Sequence, residues 1–168
     1  MPSHGHIRIR EATPRDIPDI LKWIQELAHY EKAGDEAILT PDDLLRDGFD
    51  EHPLFGVLLA EYEGEAAGMA FWYTSYSTWK GKCLYLEDLY VKEDLRRKGI
   101  GKLLFEAMIK KANEEGYARL QWQVLNWNAP ALAFYQKYHT AFSPEWLNCT
   151  LHKKDLPSPV KNPSNLNA

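Results

Sequence analysis

Residues 84–102 read Leu-Tyr-Leu-Glu-Asp-Leu-Tyr-Val-Lys-Glu-Asp-Leu-Arg-Arg-Lys-Gly-Ile-Gly-Lys, and this stretch decides the fold. Its first part, up to Val91, is rich in apolar and aromatic residues, which is typical of a strand. A turn with two glycines follows, and from Gly99 to Glu115 apolar residues recur at helical spacing. The stretch therefore predicts a strand, a glycine-containing turn and a long amphipathic helix.

The turn between this strand and this helix predicts an anion site. Gly99 and Gly101 have no Cβ atoms where a ligand must approach the backbone, and the first N–H groups of a helix have no partner within it. Such turns bind phosphate, and Arg96, Arg97 and Lys98 add positive charge. The pattern is neither a Walker loop nor a dinucleotide-binding fingerprint, because both motifs are incomplete here. The ligand implied is a pyrophosphate.

Up to Val91 the sequence predicts two helices and four strands, and the fourth strand is that of the unit just described. Alternation in Ile7–Arg10 indicates a strand. Thr13 and Thr40 each precede a proline and an acid, which is a helix start signal, and the second helix should end near Gly48. Three strand-like runs follow, for which an antiparallel meander is the simplest arrangement: Leu54–Tyr62, Ala66–Tyr76 and Cys83–Val91.

The residues after the long helix complete an α/β domain with a mixed sheet. We expect a strand over Ala118–Val124, a helix over Ala129–Tyr138 with Asn128 as its N-cap, and a last strand over Trp146–His152. One domain should occupy residues 1–156, and the tail of residues 157–168, rich in Pro and Asn, should be disordered.

Composition excludes several classes of protein. The chain has 168 residues and is 45% hydrophobic, as expected of one globular domain. No apolar run approaches the roughly 20 residues that span a bilayer, and the polar start lacks the apolar part of a signal peptide, so we expect a cytoplasmic protein without membrane contact. Two cysteines offer no metal spacing, and we expect no metal. Basic residues are confined to one turn of a net acidic chain, which argues against nucleic-acid binding.

Charge is distributed unevenly. Residues 31–51 carry eight acids against Lys32 and Arg46, whereas residues 92–102 carry five basic residues against Glu93 and Asp94. One segment suits a cation and the other an anion, although each equally fits a solvated surface.

Several motifs together resemble the GNAT superfamily of acetyltransferases, specifically its diamine and polyamine branch. The residues that carry the resemblance are Tyr85–Val91, Arg96–Gly101, Trp127–Pro130 and Phe134-Tyr135. The similarity extends from about Ile7 to Trp146. Within the branch, residues 76–81 are more similar to the thialysine-acetylating type than to the spermidine/spermine type, which has an aspartate at the position of Ser77.

The resemblance implies a mostly antiparallel sheet, splayed between its fourth and fifth strands and flanked by helices, with acetyl-CoA in the gap. It also implies a homodimer. On the strand, Leu89 and Val91 would pair their backbones with the pantetheine, and Tyr90 lies between them. The pyrophosphate would be held by Arg96, Arg97, Lys98, Gly99, Ile100, Gly101 and Lys102. The far side of the cofactor would be lined by Asn128, Ala129, Pro130 and Ala131.

Two residues match the catalytic positions of the family. Tyr135 would protonate the CoA thiolate as it leaves, although it also fits a core aromatic of a helix. Glu87 would take the proton of the substrate ammonium, which has a pKa of about 10.4 when unperturbed, although it also fits a structural ion pair. Because adjacent strand residues point to opposite faces, only one of Glu87 and Asp88 should face a given side of the sheet.

The substrate would be a small molecule with a primary amine. By resemblance, Tyr30 and Glu31 lie at the substrate mouth and Trp146 forms an aromatic wall, while Ser77 and Thr78 replace the charge that a long polyamine would need. The family usually has a glycine after the helix of Tyr135, and none is present here, so either His139 adopts a left-handed conformation or the helix ends differently.

Three functions remain open at this point. The first is direct acetyl transfer, in a ternary complex, to thialysine or a related lysine-like amino acid or diamine. The second is spermidine or spermine N1-acetylation, which the acidic segment would favour. The third is acyl-CoA binding without catalysis.

Overall fold

The structure is a computed structural model that describes residues 6–157. Its contacts divide the chain into two compact units, residues 1–125 and 126–168, and the described part of each is treated by itself. A single domain over residues 1–156 stays a prediction. The predicted tail, except for Pro157, lies outside the described residues. Within residues 6–157 no helix is long and apolar enough to cross a membrane.

The first unit contains a five-stranded sheet whose strands neighbour one another in sequence order. The first four pair antiparallel, which confirms the predicted meander, and the last two pair parallel. The strands are β1 (Ile7–Glu11), β2 (Gly56–Tyr62), β3 (Glu65–Ser77), β4 (Gly81–Val91) and β5 (Leu120–Gln121).

Four α-helices were predicted and four are present among the described residues: α1 (Ile17–Tyr30), α2 (Pro41–Phe49), α3 (Ile100–Glu114) and α4 (Ala129–Gln136). The start signal of α2 works as expected, because the Thr40 hydroxyl accepts from the Asp43 N–H at 3.2 Å and the Asp43 carboxylate accepts from the Thr40 N–H at 2.9 Å. A 3-10 turn, Pro14–Asp16, precedes α1.

Helix α1 is fixed on the sheet by apolar packing and by one ion pair. Trp23 stacks on Tyr90 of β4 with ring centroids 5.6 Å apart. The Arg10 guanidinium on β1 donates two hydrogen bonds of 2.8 Å to the Asp16 carboxylate just before the helix. The core beneath α1 consists of Ile17, Ile20, Trp23, Leu44, Val57, Leu59, Met69 and Tyr90.

The main differences between the structure and the sequence predictions lie after α3. Strand β5 has two residues instead of the seven from 118 to 124, and α4 ends at Gln136 rather than Tyr138. The strand predicted over Trp146–His152 is wrong: this segment has no ladder partner among the described residues, and a 3-10 turn, Lys153–Asp155, follows it. Alternation marks a segment that suits a strand, but a strand forms only where a neighbouring backbone can pair with it.

The splayed sheet is confirmed. Strand β4 is 11 residues long, but only Leu84 and Tyr85 pair with β5. From Leu86 onward that side of β4 has no strand partner among the described residues. The fold class, a mixed and mostly antiparallel sheet flanked by helices, is therefore as predicted.

Candidate active site

A β-bulge in β4 sets the geometry of the site. Phe71 lies opposite Asp88, and the next residue of β3, Trp72, lies opposite Leu86, so Glu87 is an extra residue without a partner. A bulge breaks the alternation of side chains across the strand. Glu87 and Asp88 accordingly line the same cavity, and our expectation that only one of them faces a given side is wrong.

This cavity has a volume of about 480 Å³ and lies within the first unit. Its wall is largely apolar, and among residues 6–157 the two carboxylates are the only charged side chains that line it. The lining consists of Ile24, Leu39, Leu54, Phe55, Phe71, Tyr73, Glu87 and Asp88. A site of this kind suits a ligand with a cationic group and a hydrocarbon chain.

Three carboxylates interact at this cavity. Burial raises the pKa of Asp88 to about 7, with the charges of Glu87 and Glu31 adding to the effect. Burial also raises the pKa of Glu87 and, together with the charge of Glu87, that of Glu31. Within the part of the chain that the structure describes, no ion pair joins any of the three to a basic side chain. The group can therefore bind a cation and accept a proton near neutral pH.

The end of α1 supplies Glu31. The Glu31 N–H donates to the Leu27 carbonyl at 2.9 Å, and Lys32 then takes the left-handed conformation with φ of 63°, which ends the helix. Tyr30 is the last helical residue and is 44% exposed. The structure thus brings the predicted Glu31 close enough to Glu87 for their charges to interact, and it leaves Tyr30 partly open to solvent.

Two carboxylates of the acidic segment, residues 31–51, are used elsewhere. Asp43 caps α2 and pairs with Arg46 at 3.1 Å, and Asp47 pairs with the same guanidinium at 2.8 Å. These exposed pairs neutralise part of the charge that the sequence suggested for attracting a cation. Among these acids, Glu31 is the one whose pKa the charge of Glu87 raises, and its own charge adds to the raised pKa of Asp88.

The turn before α3 has the features of an anion site. Arg97 and Gly99 both have positive φ, 65° and 88°, so successive N–H groups can converge. Gly99 is the N-cap and has no side chain to cap the helix, and the first turn of α3 contains no acid. Helix α2, in contrast, has two acids in its first turn and satisfies its own start. The free N–H groups and the helix dipole of α3 remain available to an anion.

Some basic residues of this turn contact other groups of the protein, whereas others are exposed to solvent. The Arg96 guanidinium donates from Nε to the Val91 carbonyl at 3.1 Å, and Lys98 Nζ lies 5.1 Å from the centre of the Tyr62 ring. Arg97 and Lys102 are exposed, and Lys102 lies 3.8 Å from a Glu106 oxygen. Arg97 is therefore the basic side chain of the turn best placed to meet a solvent-borne anion.

The other residues of β4 and α3 that are predicted to bind the cofactor differ in which groups they expose. Tyr90 is buried in the core and its hydroxyl donates to the Glu26 carboxylate, so only its backbone could meet a cofactor. Leu89 and Val91 lie in the half of β4 that β5 does not cover. Ile100 is buried, and Gly101 packs near Val91, where an added Cβ would lie 3.5 Å from a methyl group.

Ser77 and Thr78 lie apart from the carboxylates. The Ser77 hydroxyl accepts from the N–H groups of Trp79 and Lys80, both at 3.2 Å, and so closes the hairpin between β3 and β4. Ser77 is five residues beyond Trp72, about 17 Å along an extended strand. The hydrogen bonds of Ser77 show that it stabilises the hairpin. Contact of Ser77 or Thr78 with a substrate stays a prediction.

The second unit contains the other predicted site residues. The Asn128 side chain accepts from the Ala131 N–H at 3.3 Å, which confirms Asn128 as the N-cap of α4, where Ala129 and Pro130 form the first turn. Tyr135 is 8% exposed on this helix, whereas Trp146 is 72% exposed in a segment without regular secondary structure. The roles of these residues toward cofactor and substrate stay predictions.

Three residues beyond the end of α4 at Gln136, His139 adopts the left-handed conformation that glycine takes most easily, with φ of 54°. The Thr140 hydroxyl donates to the Tyr135 carbonyl at 2.7 Å and satisfies one of the last carbonyl groups of the helix. Of the two possibilities left open by the sequence, the first is confirmed.

Two functional candidates were missed by sequence reasoning. Asp88 was assigned to the opposite face, since a bulge gives no signal in a simple alternating pattern. Tyr73 was treated only as part of a strand, although it lines the cavity and stacks on Tyr85 with ring centroids 5.0 Å apart. The register of β3 and β4, which places Tyr73 opposite Tyr85, was needed to find it.

Known proteins resemble this chain over most of its length. Thialysine N-epsilon-acetyltransferase of Bos taurus is 40% identical over 138 residues, which cover 77% of this chain and 81% of the bovine protein. Spermidine/spermine N(1)-acetyltransferase-like protein 1 of Homo sapiens is 36% identical over 140 residues, covering 79% of this chain and 20% of the human protein.

Solved structures show the same fold. An aminoglycoside acetyltransferase from an uncultured soil metagenomic sample superposes with a TM-score of 0.72 at 21% identity, over 87% of this chain and 97% of that one. The profile of the acetyltransferase (GNAT) family matches residues 17–140, which include the bulge, the glycine turn and α4. By this match and by the splayed sheet, the chain belongs to the GNAT acetyltransferase family.

Proposed function

We propose that this enzyme transfers the acetyl group of acetyl-CoA to a primary amine of a small cationic molecule, by direct attack in a ternary complex. The observation that carries the proposal is the cavity in which Glu87 and Asp88 meet beside Glu31 without a basic partner in the described residues. The same strand continues into the glycine turn, so one strand-turn-helix unit supplies both an ammonium site and an anion site.

The residues of the turn fit the donor. The N–H groups at the start of α3 and the exposed Arg97 would hold the pyrophosphate of acetyl-CoA. Leu89 and Val91 would offer backbone groups to the pantetheine on the side of β4 that β5 leaves open. Asn128–Ala131 would line the far side, as the family resemblance implies. Acetyl-CoA supplies an acetyl group activated as a thioester.

Side chains of the protein accept and donate the protons of the reaction. Glu87, which is exposed at the cavity, takes a proton from the bound ammonium, and the deeper Asp88 keeps the site negative and basic. The freed nitrogen lone pair attacks the acetyl carbonyl carbon and the nitrogen becomes positively charged. As the carbon–sulfur bond breaks, the nitrogen releases its second proton to solvent. We assign to Tyr135 the proton that the departing thiolate needs, so that the products are an acetamide and CoA thiol.

Thialysine or a related lysine-like amino acid or diamine is our first choice of substrate. It is supported by the bovine relative, whose name states this activity, at 40% identity. Spermidine or spermine is the second candidate, and one structural feature favours it: three interacting carboxylates and no basic lining residue suit a molecule with several positive charges.

The proposal is tested by measuring CoA thiol release with thialysine, ornithine, spermidine and an aromatic amine under identical conditions. We expect transfer to at least one cationic amine and a higher kcat/KM for thialysine than for spermidine. A higher kcat/KM for spermidine would make spermidine, rather than thialysine, the preferred substrate. If no amine is acetylated, the proposal is overturned.

A Tyr135→Phe variant separates an enzyme from a protein that only binds acyl-CoA. Loss of transfer with retained CoA binding supports Tyr135 as the acid, whereas unchanged transfer would show that Tyr135 is not the acid.

We further propose a cytoplasmic homodimer, as in the family that the sequence resembles. Sedimentation equilibrium at several concentrations tests the dimer, and a monomer throughout would contradict it.

A further inference from the structure

A pair of tyrosines lies beside the carboxylates of the cavity. Tyr73 on β3 and Tyr85 on β4 occupy opposite positions in the ladder, and their rings stack at 5.0 Å with an interplanar angle of 29°. Both side chains are half-buried. Because each ring blocks the other from turning, the pair forms a rigid aromatic surface.

This surface is close to the negative charge. Tyr73 lines the cavity together with Glu87 and Asp88. Burial and the Glu87 charge raise the pKa of Tyr73, and the same causes raise the pKa of Tyr85 to about 12. Both phenols are therefore neutral at physiological pH and add a polarised aromatic ring without removing negative charge from the cavity.

A neutral aromatic ring beside carboxylates is suited to an alkylammonium group. The ring attracts the positive charge and packs on the methylene groups next to the nitrogen, while the carboxylates supply the stronger but less selective attraction. Carboxylates alone also attract inorganic cations, which cannot pack on a ring.

We propose that Tyr73, held in place by Tyr85, is the surface that binds the alkylammonium group of the acceptor and makes the cavity selective for organic amines. This role rests on the proposed acetyl transfer to an amine. Tyr73 acts as a specificity residue in direct contact with substrate, and Tyr85 acts as a positioning residue through it.

The test compares Tyr73→Leu, which removes the ring, with Tyr73→Phe, which removes only the hydroxyl. Tyr117→Leu is the matched control, because Tyr117 is also half-buried but bonds to Thr74 and lies outside the cavity lining. We measure KM for the amine and for acetyl-CoA, and by calorimetry the Kd of propyltrimethylammonium, a cation that cannot donate hydrogen bonds or be acetylated.

Removing the ring should raise the amine KM and the probe Kd by about 5- to 30-fold, the usual range of one cation–π contact. Tyr73→Phe and Tyr117→Leu should stay within about twofold of wild type, and KM for acetyl-CoA should not change. Tyr85→Leu should weaken the probe less than Tyr73→Leu, and the double variant should lose less than the sum of the two, because the residues act together.

The outcomes separate this inference from the proposed function. If wild type acetylates amines but Tyr73→Leu leaves amine KM and probe Kd unchanged, the aromatic surface is wrong and the enzyme proposal stands. If Tyr73→Phe weakens amine and probe binding as much as Tyr73→Leu does, the hydroxyl and not the ring makes the contact, and the aromatic surface is wrong. If wild type acetylates no amine, the proposed function fails and the substrate role of Tyr73 with it, whatever the probe shows.

Discussion

Glu87 and Asp88 are consecutive residues of one strand, and both line the same cavity because Glu87 is the extra residue of a bulge. A regular strand would have turned one of them to the opposite face. The bulge therefore creates a pair of carboxylates, one exposed and one largely buried, at the middle of β4. Five predictions follow from this arrangement and from the elements that support it.

The rate of acetyl transfer should depend on the ionisation of this pair. With the pKa of Asp88 raised to about 7, kcat/KM should increase with pH below 7 and level off above it, because the ionised carboxylates bind and deprotonate the ammonium. Glu87→Gln should lower kcat by about 10²- to 10⁴-fold, the usual contribution of a general base. Asp88→Asn should move the acidic limb of the profile to lower pH. A limb that stays near pH 7 in Asp88→Asn would assign it to another group.

The ionisation of Asp88 should make the protein less stable as pH rises, whereas a carboxylate in an ion pair usually makes a protein more stable. Its folded pKa of about 7 lies above the unfolded value, so ionising it costs folding free energy, and stability falls as pH rises from about 4 to 7. Asp88→Asn should be more stable than wild type at pH 8 by roughly 2 to 4 kcal/mol, the equivalent of up to three pKa units. Urea unfolding at pH 5 and pH 8 measures this, with Asp50→Asn as an exposed control expected to change stability by less than about 0.5 kcal/mol.

The anion site should depend on Arg97. Arg97→Ala should raise KM for acetyl-CoA about tenfold, the loss expected of one charge-assisted hydrogen bond, and leave KM for the amine unchanged. Lys110→Ala removes a similar charge from the same helix but beyond the turn and should behave as wild type. Equal effects of the two variants would show that general charge, rather than the turn, attracts the donor.

Gly68 should be required for the close approach of β3 and β4. A Cβ at this position would lie 2.4 Å from the Tyr90 carbonyl oxygen, a backbone atom that cannot move without breaking the ladder. We expect Gly68→Ala to destabilise by at least about 2 kcal/mol. Gly64→Ala is the comparison, since it has a φ of 86° but nothing within 4 Å of the added Cβ, and should cost only about 1 kcal/mol in backbone strain. Similar losses in urea unfolding would contradict the steric explanation.

The end of α4 should carry strain at His139. Its φ of 54° is unfavourable for a residue with a Cβ and easy for glycine. His139→Gly should therefore stabilise the protein by up to about 1 kcal/mol. His139→Ala, which keeps the Cβ, should not. Thermal unfolding of the two variants checks this, and equal behaviour would remove the strain argument.

Local patterns predicted the helices of the first unit because each depends on neighbouring residues. The helix of Ile100–Glu114 follows from apolar spacing, and the start of α2 follows from the reciprocal bonds of Thr40 and Asp43. Prediction failed where pairing with distant residues decides the result, as in β5, which keeps two residues, and in Trp146–His152, which forms no strand.

By itself the sequence determined the glycine turn and the order of the strands and helices up to α4, since these rest on residue type and short spacing. The family resemblance pointed to Glu87 as a candidate base. Only the tertiary structure decided that Asp88 joins Glu87, that Glu31 approaches them, and that Tyr73 and Tyr85 stack beside them. Each of these relations depends on strand register or on helix packing, in which a shift by one residue turns a side chain to the other face. Residues distant in the chain meet at the cavity for that reason. The partial burial of Asp88 beside the charges of Glu87 and Glu31 raises its pKa, which no single segment predicts.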